Sequence, residues 1–314
     1  MTMFNLLRRQ PWVITVLVFL ILVIVNTALQ PSFVEPSVMQ SNLATFLPLI
    51  LVAIGQTYVI LAGDIDLSVG SIVALVNVVT VTVITALGGT VGAVFGGMAA
   101  GFLTGIVCGL INGFFISGLR FQPIVTTFAT GIIFAGLAIW VLPQAGLPVP
   151  EAYWMTYTES FLGVPVVAWV LIAGVLFTLI VAKMAFLTRL TAVGGNRTGA
   201  FQTGLSIGGL RVGAYVISGA FASFAALCLT GETASGDPLL GASLALSSIS
   251  AVVLGGTALA GGFGNATGSI VGALVLGMIG NVIFFAGLPF EYQTLVQGLI
   301  VLAALAGGVF VTRR

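Results

Sequence analysis

Between positions 67 and 119, and again between 238 and 290, the chain carries no charged residue. Each stretch is too long for one membrane helix, which needs about 20 apolar residues to cross the hydrocarbon core. Gly88-Gly89 divides the first stretch, and the cluster Gly261-Gly262-Phe263-Gly264 divides the second. Glycine pairs interrupt helices because they carry the largest backbone entropy cost and tolerate left-handed dihedrals. Only 5% of the residues are charged, against about 25% in an ordinary globular protein. A water-soluble core could not absorb so much apolar surface. The fold class is therefore an all-α polytopic membrane protein.

Apolar runs between turn signals predict ten spans: 12–30, 43–62, 68–87, 91–118, 123–142, 161–182, 213–231, 243–260, 267–286 and 293–311. Charge tests this count. With the N-terminus in the cytoplasm, all nine basic residues fall on that side: Arg8, Arg9, Arg120, Lys183, Arg189, Arg197, Arg211, Arg313 and Arg314. Cytoplasmic loops are enriched in Lys and Arg, and adding or removing one helix would scatter them. Both termini are expected inside. Glu35, Glu151, Glu159, Glu232, Asp237 and Glu291 then fall outside. The run after Arg8-Arg9 reads as a retained first helix, because no small-residue cleavage pattern follows it.

Several chemistries lack their residues. There is no histidine and Lys183 is the one lysine, which leaves little for a metal centre or acid–base catalysis near neutral pH. Lys183 is flanked by Ala182 and Met184, so the Gly-Lys-Ser/Thr ending of a phosphate-cradling loop is missing. No cofactor is implied, and no basic run points to nucleic acid. Cys108 and Cys228, each within an apolar stretch, read as small packing residues. Small residues at three- and four-residue intervals in "GAVFGGMAAGFLTG" and "GSIVGALVLGMIGN" predict close helix contact in lipid. "NGFFISGLRF" (112–121) and "NVIFFAGLPF" (281–290) share a faint pattern on oppositely directed spans, as inverted repeats do.

Three segments carry functional expectations. "GDIDLSVG" places Gly63, Asp64, Asp66, Ser68 and Gly70 at a helix break at the cytoplasmic edge. Asp66 and Ser68 are placed to cap the helix opening at Val69. A cavity lined by polar helix ends and an ion relay are the other readings of this acid pair, although a relay lacks an obvious basic partner in the membrane. The long cytoplasmic loop from Lys183 to Arg211 reads as a docking surface with a short helix between Gly195 and Gly204, since connectors in compact proteins are usually short. Finally, Gly255, Gly256 and Thr257, with Gly261 and Gly262, interrupt a helix in mid-course. Irregular backbone at that depth survives only where protein or water covers it.

Together, "GDIDLSVGSIVAL", "RFQPIVTTFATGIIFAGLA", "AVGGNRTGAFQTGLSI" and "AVVLGGTALAGGFGNATGSIVGALVLG" resemble, in order, the permease subunits of bacterial monosaccharide-type ABC importers, the ribose and arabinose transporter family. Two positions depart from the pattern. Asp64 stands where the family often has a second glycine, and Ser247 where an acidic residue commonly precedes the Ala-Val-Val-Leu-Gly-Gly run. Asp64 is accordingly expected near water and dispensable, with Asp66 the more important of the pair.

The resemblance implies one transmembrane permease domain over 1–314 in the bacterial inner membrane, with an ATPase-docking loop at about 183–212. Gly194, Gly195, Asn196, Gly204 and Ile207 would belong to that coupling loop. The implied partners are cytoplasmic ATP-binding subunits, a periplasmic substrate-binding protein, and a second permease copy or a sister permease, within membrane lipid. Cargo would be a monosaccharide or related polyol. Gln56, Thr57, Asn77, Asn112 and Asn281 are neutral groups suited to weak contact with hydroxyls along a path. Two alternatives remain open: an ion-coupled secondary transporter using Asp64 and Asp66, and an ABC permease for nucleosides or branched-chain amino acids.

Overall fold

The computed structural model describes residues 12–289 together with 291, 292, 294–296, 298, 299 and 302. Its helices are α1 (Trp12–Leu29), α2 (Pro36–Leu61), α3 (Val69–Ala86), α4 (Val91–Gly113), α5 (Pro123–Val141), α6 (Glu151–Thr158), α7 (Val166–Lys183), α8 (Ala185–Gly195), α9 (Arg197–Gln202), α10 (Ile207–Thr233), α11 (Leu244–Leu254) and α12 (Ala266–Phe285). Seven helices among the described residues are long and apolar enough to cross a bilayer, and two shorter apolar ones cover Thr15–Leu29 and Leu244–Leu254. Most of the expected span 293–311 lies outside the described residues, and Arg8, Arg9, Arg313 and Arg314 lie wholly outside them.

The interruption expected within the span 243–260 is present: α11 stops after 11 residues, about 16 Å at 1.5 Å per residue. That is roughly half of a hydrocarbon core. Gly256 adopts φ +85°, and the Gly256 and Thr257 amides donate back to Val253 O and Val252 O. This is the glycine-terminated ending that satisfies the last carbonyls of a helix. Irregular backbone then continues until Asn265 caps α12, its side chain accepting from the Gly268 amide at 2.6 Å.

Helix α2 lies at the centre. From Phe46 to its end almost every residue is buried, so it is apolar all round, as a core helix is. It packs on α10, α12, α11 and α7. The small faces expected from sequence are used: a Cβ at Gly105 would fall on Ser223 of α10, and one at Gly101 on Thr80 of α3. In lipid, where apolar side chains gain little by association, this backbone approach lets dispersion contacts accumulate. Cys108 and Cys228 are buried and unpaired.

The two ends of the bundle differ in charge. At one end, two-residue strands β1 (Leu147–Pro148) and β4 (Ser235–Gly236) pair antiparallel, near Glu151, Glu159, Glu232 and Asp237. A second pair, β2 (Ser160–Phe161) and β3 (Val164–Pro165), forms a tight hairpin there. The opposite end gathers Arg120, Lys183, Arg189, Arg197 and Arg211, together with the end of α2, helices α8 and α9, and the start of α10.

Candidate coupling and translocation site

Helix α2 ends at the basic end of the bundle. Gly63 takes φ +78°, and the Gly63 and Asp64 amides return to Ile60 O at 2.9 Å and Val59 O at 3.1 Å. A side chain at position 63 would strain this left-handed turn. The turn delivers Asp64 into the interior, where its side chain is fully enclosed.

The expectation that Asp64 sits near water is overturned. Arg211, at the start of α10, donates through Nε to Oδ2 at 2.7 Å and through Nη2 to Oδ1 at 3.0 Å. Arg197, the first residue of α9, donates to the same Oδ1 through Nη2. That Nη2 also meets Ala62 O at 3.3 Å and Gly63 O at 3.2 Å, placing positive charge on the carbonyl end of α2, where the helix dipole favours it. The side chain of Arg197 is 44% exposed and that of Arg211 is 10% exposed. Sequence reasoning missed both arginines as partners. A basic residue at the first turn of a long apolar helix was the available signal.

Asp66 is also fully buried. Its Oδ1 accepts from the Ser68 amide at 2.9 Å and the Ser68 hydroxyl at 2.6 Å, and its Oδ2 accepts from Ser218 of α10 at 3.1 Å. Burial raises the carboxyl above its ordinary value, and these three hydrogen bonds act in the opposite direction. The expected cap takes a different form. Ser68 occupies the cap position of α3 but its side chain makes no capping bond. Asp66 instead holds the Ser68 amide two residues ahead, as aspartates do in turns.

A polar network spreads from this break. Asn112 of α4 donates to Ser68 Oγ at 2.8 Å, and Thr130 of α5 donates to Asn112 Oδ1 at 2.6 Å. Thr127 of α5 accepts from the Leu67 amide at 3.0 Å. Gly70 is the second residue of α3, and a Cβ there would fall on the Gly241 carbonyl.

The three glycine-bearing segments meet here. The Gly262 amide donates to Leu61 O at 3.0 Å. A Cβ on Gly262 would lie 2.5 Å from the Gly195 Cα, and one on Gly261 2.6 Å from the Gly63 Cα. At Gly194 it would fall on the Leu61 carbonyl. Backbone therefore packs on backbone where the α2 end, the α8 end and the segment after α11 converge. Asn196 caps α9 by accepting from the Gly199 amide at 2.9 Å. Gly204 turns the chain after α9 with φ +79°, and Ile207 opens α10.

The five neutral residues expected along a path are not brought together. Thr57 donates to Ser269 Oγ at 2.8 Å. Asn77 donates to Thr230 Oγ1 at 2.7 Å and accepts from the Asp237 amide at 2.7 Å, which pins the loop after α10. Asn112 serves the network at the break, and Asn281 donates to Asn42 Oδ1 at 2.9 Å. Gln56 differs: it is fully buried, and neither its Oε1 nor its Nε2 has a hydrogen-bond partner among the described residues. Thr257 Oγ1 is likewise buried without a partner there. Gly255 lies against Gly268, and a Cβ on it would overlap that residue's backbone.

The fold is a helical membrane bundle with interrupted helices and a helical loop held against one interruption, an architecture suited to a membrane-transport subunit. Residues 38–305 match the family described as the branched-chain amino acid transport system permease component. The chain belongs to that family. It is 36% identical to the ribose import permease protein RbsC of Bacillus subtilis (strain 168), over 91% of this chain and 88% of that protein. It is 34% identical to the L-arabinose ABC transporter permease protein AraH of Azospirillum brasilense, over 92% and 85%. With the ribose import permease protein RbsC of Escherichia coli (strain K12) the identity is 30%, over 93% and 91%. No solved structure matches it. The chain is thus an ABC-type permease of the bacterial inner membrane.

Proposed function

We propose that this chain is the membrane-spanning subunit of an ABC importer that moves a monosaccharide or related polyol inward. The observation that carries the reading is the seating of α8 and α9 against the α2–α3 break. The segment from Gly194 to Ile207 contacts the interior through Gly194, Gly195 and Arg197, and leaves Phe201 72% exposed. A loop anchored on one side and bare on the other suits a docking element. ATP hydrolysis then belongs to cytoplasmic partner subunits bound at about 183–212. A periplasmic binding protein delivers cargo to the acidic end, and a second permease copy or sister chain completes the channel. The whole of 1–314 is one transmembrane domain of ten crossings with both ends inside, the eighth crossing being α11 plus irregular backbone. Gln56, Thr57, Asn77, Asn112 and Asn281 are proposed to contact cargo hydroxyls when the helices separate.

The sugar assignment rests on relatives named for ribose and arabinose, and the family description leaves branched-chain amino acids as the competing cargo. An ion relay finds little support, because both Asp64 oxygens are held by guanidinium groups. The test is uptake of labelled ribose, arabinose and leucine by cells expressing the complete system. Pentose uptake that stops on ATP depletion and survives an uncoupler is expected. Uptake abolished by the uncoupler at constant ATP would overturn the reading.

A further inference from the structure

Asp64 is the point at which the cytoplasmic segment enters the interior of the bundle. Arg197 opens α9, is partly solvated, and reaches the Asp64 carboxylate and the last carbonyls of α2. Arg211 holds the same carboxylate from α10. Two residues along, Asp66 binds Ser68 and Ser218, and Ser68 binds Asn112. One short turn therefore carries, at one side, the anchor of the exposed helix, and at the other, the polar contacts among α3, α4 and α10.

We propose that Arg197 and Asp64 form a mechanical latch that passes displacement of α9 into the α2–α3 break. This rests on the ABC importer reading and deepens it: Arg197 and Asp64 are positioning residues for coupling. The physical argument is one of stiffness. A charge-assisted hydrogen bond on a fully enclosed acceptor is short and directional, whereas the Gly194 and Gly195 contacts that seat the end of α8 beside it are van der Waals and can slide. The second basic partner matters too. Arg211 alone already binds both oxygens of Asp64, so Arg197 is not required to neutralise the carboxylate. Its added function is attachment of α9.

The test uses the assembled importer in nanodiscs and follows backbone hydrogen exchange of segments 196–203 and 63–68, with and without ATP plus vanadate. In the wild type both segments are expected to change on nucleotide trapping. Arg197→Gln leaves the Asp64–Arg211 pair intact, so the chain should reach wild-type levels in the membrane. In that variant segment 196–203 should still respond, while the response of 63–68 should fall about fivefold or more, with Arg197→Lys intermediate; interaction energies between coupled residues span this range. The ratio of substrate moved to ATP hydrolysed should fall in the same order. An undiminished response of 63–68 in Arg197→Gln would overturn the latch, as would uptake and hydrolysis declining in parallel. If segment 196–203 of the wild-type assembly ignores nucleotide, the docking reading itself fails, and the latch falls with it.

Discussion

Arg211 grips Asp64 by two hydrogen bonds, 2.7 Å from Nε and 3.0 Å from Nη2, with both side chains withdrawn from solvent. This pair joins the turn after α2 to the first turn of α10, 147 positions apart in the chain. It changes what is expected of the acidic pair, because removing Asp64 leaves the buried Arg211 without its counterion.

Asp64→Gly should therefore be damaging. Breaking a buried ion pair costs about 3–5 kcal/mol, and that range applies to the Arg211 contact, since Arg197 is substantially exposed. Asp64→Leu combined with Arg211→Met should recover most of the loss, because no buried charge is left unpaired, the Arg197 side chain being 44% exposed. Thermal unfolding of the purified protein in detergent measures both. A wild-type midpoint for Asp64→Gly would show that the pair contributes nothing.

Asp66→Ala removes the acceptor for Ser68 N, Ser68 Oγ and Ser218 Oγ, and should destabilise by about 1–3 kcal/mol. Asp66→Asn keeps one acceptor oxygen toward Ser68 and should lose less than half as much. The ranking of the two midpoints is the check, and Asn falling below Ala would contradict the hydrogen-bond account.

Gly261 and Gly204 both have positive φ, +86° and +79°. They differ in surroundings: a Cβ at 261 meets the Gly63 backbone, while nothing lies within 4 Å of one at 204. Gly204→Ala should cost only the left-handed strain, about 1–2 kcal/mol. Gly261→Ala adds a backbone clash and should prevent the three segments from closing, which limited proteolysis near 258–265 would reveal. Equal protease resistance of the two variants would argue against the convergence.

Gln56 has two buried polar atoms without partners among the described residues, each an unfavourable desolvation. Gln56→Leu should raise the unfolding midpoint, equivalent to about 1–3 kcal/mol, while lowering uptake if its amide meets cargo in another conformation. Unchanged uptake in a stabilised variant would remove Gln56 from the path.

Much of the architecture follows from residue order alone. Charge-free runs need lipid, glycine pairs stop helices, and Lys and Arg collect at one end; α2 to α5, α7, α10 and α12 arise from these local rules. The acidic pair illustrates the limit. The sequence places Asp64 and Asp66 at a helix break, and a cap at Val69 is a sound local inference. That both carboxylates are shut away from water depends on α9 and α10, more than a hundred positions away, and no periodicity reports that. For α11 the glycine pair marks the break after 11 residues in the sequence, whereas the contact of Gly255 with Gly268 that covers it belongs to the packed bundle. Local sequence sets where a helix can end and where a charge can be tolerated. Only the packed bundle decides which partner meets each exposed backbone group and each charge, because desolvation and ion pairing act between chain segments that sequence distance keeps apart.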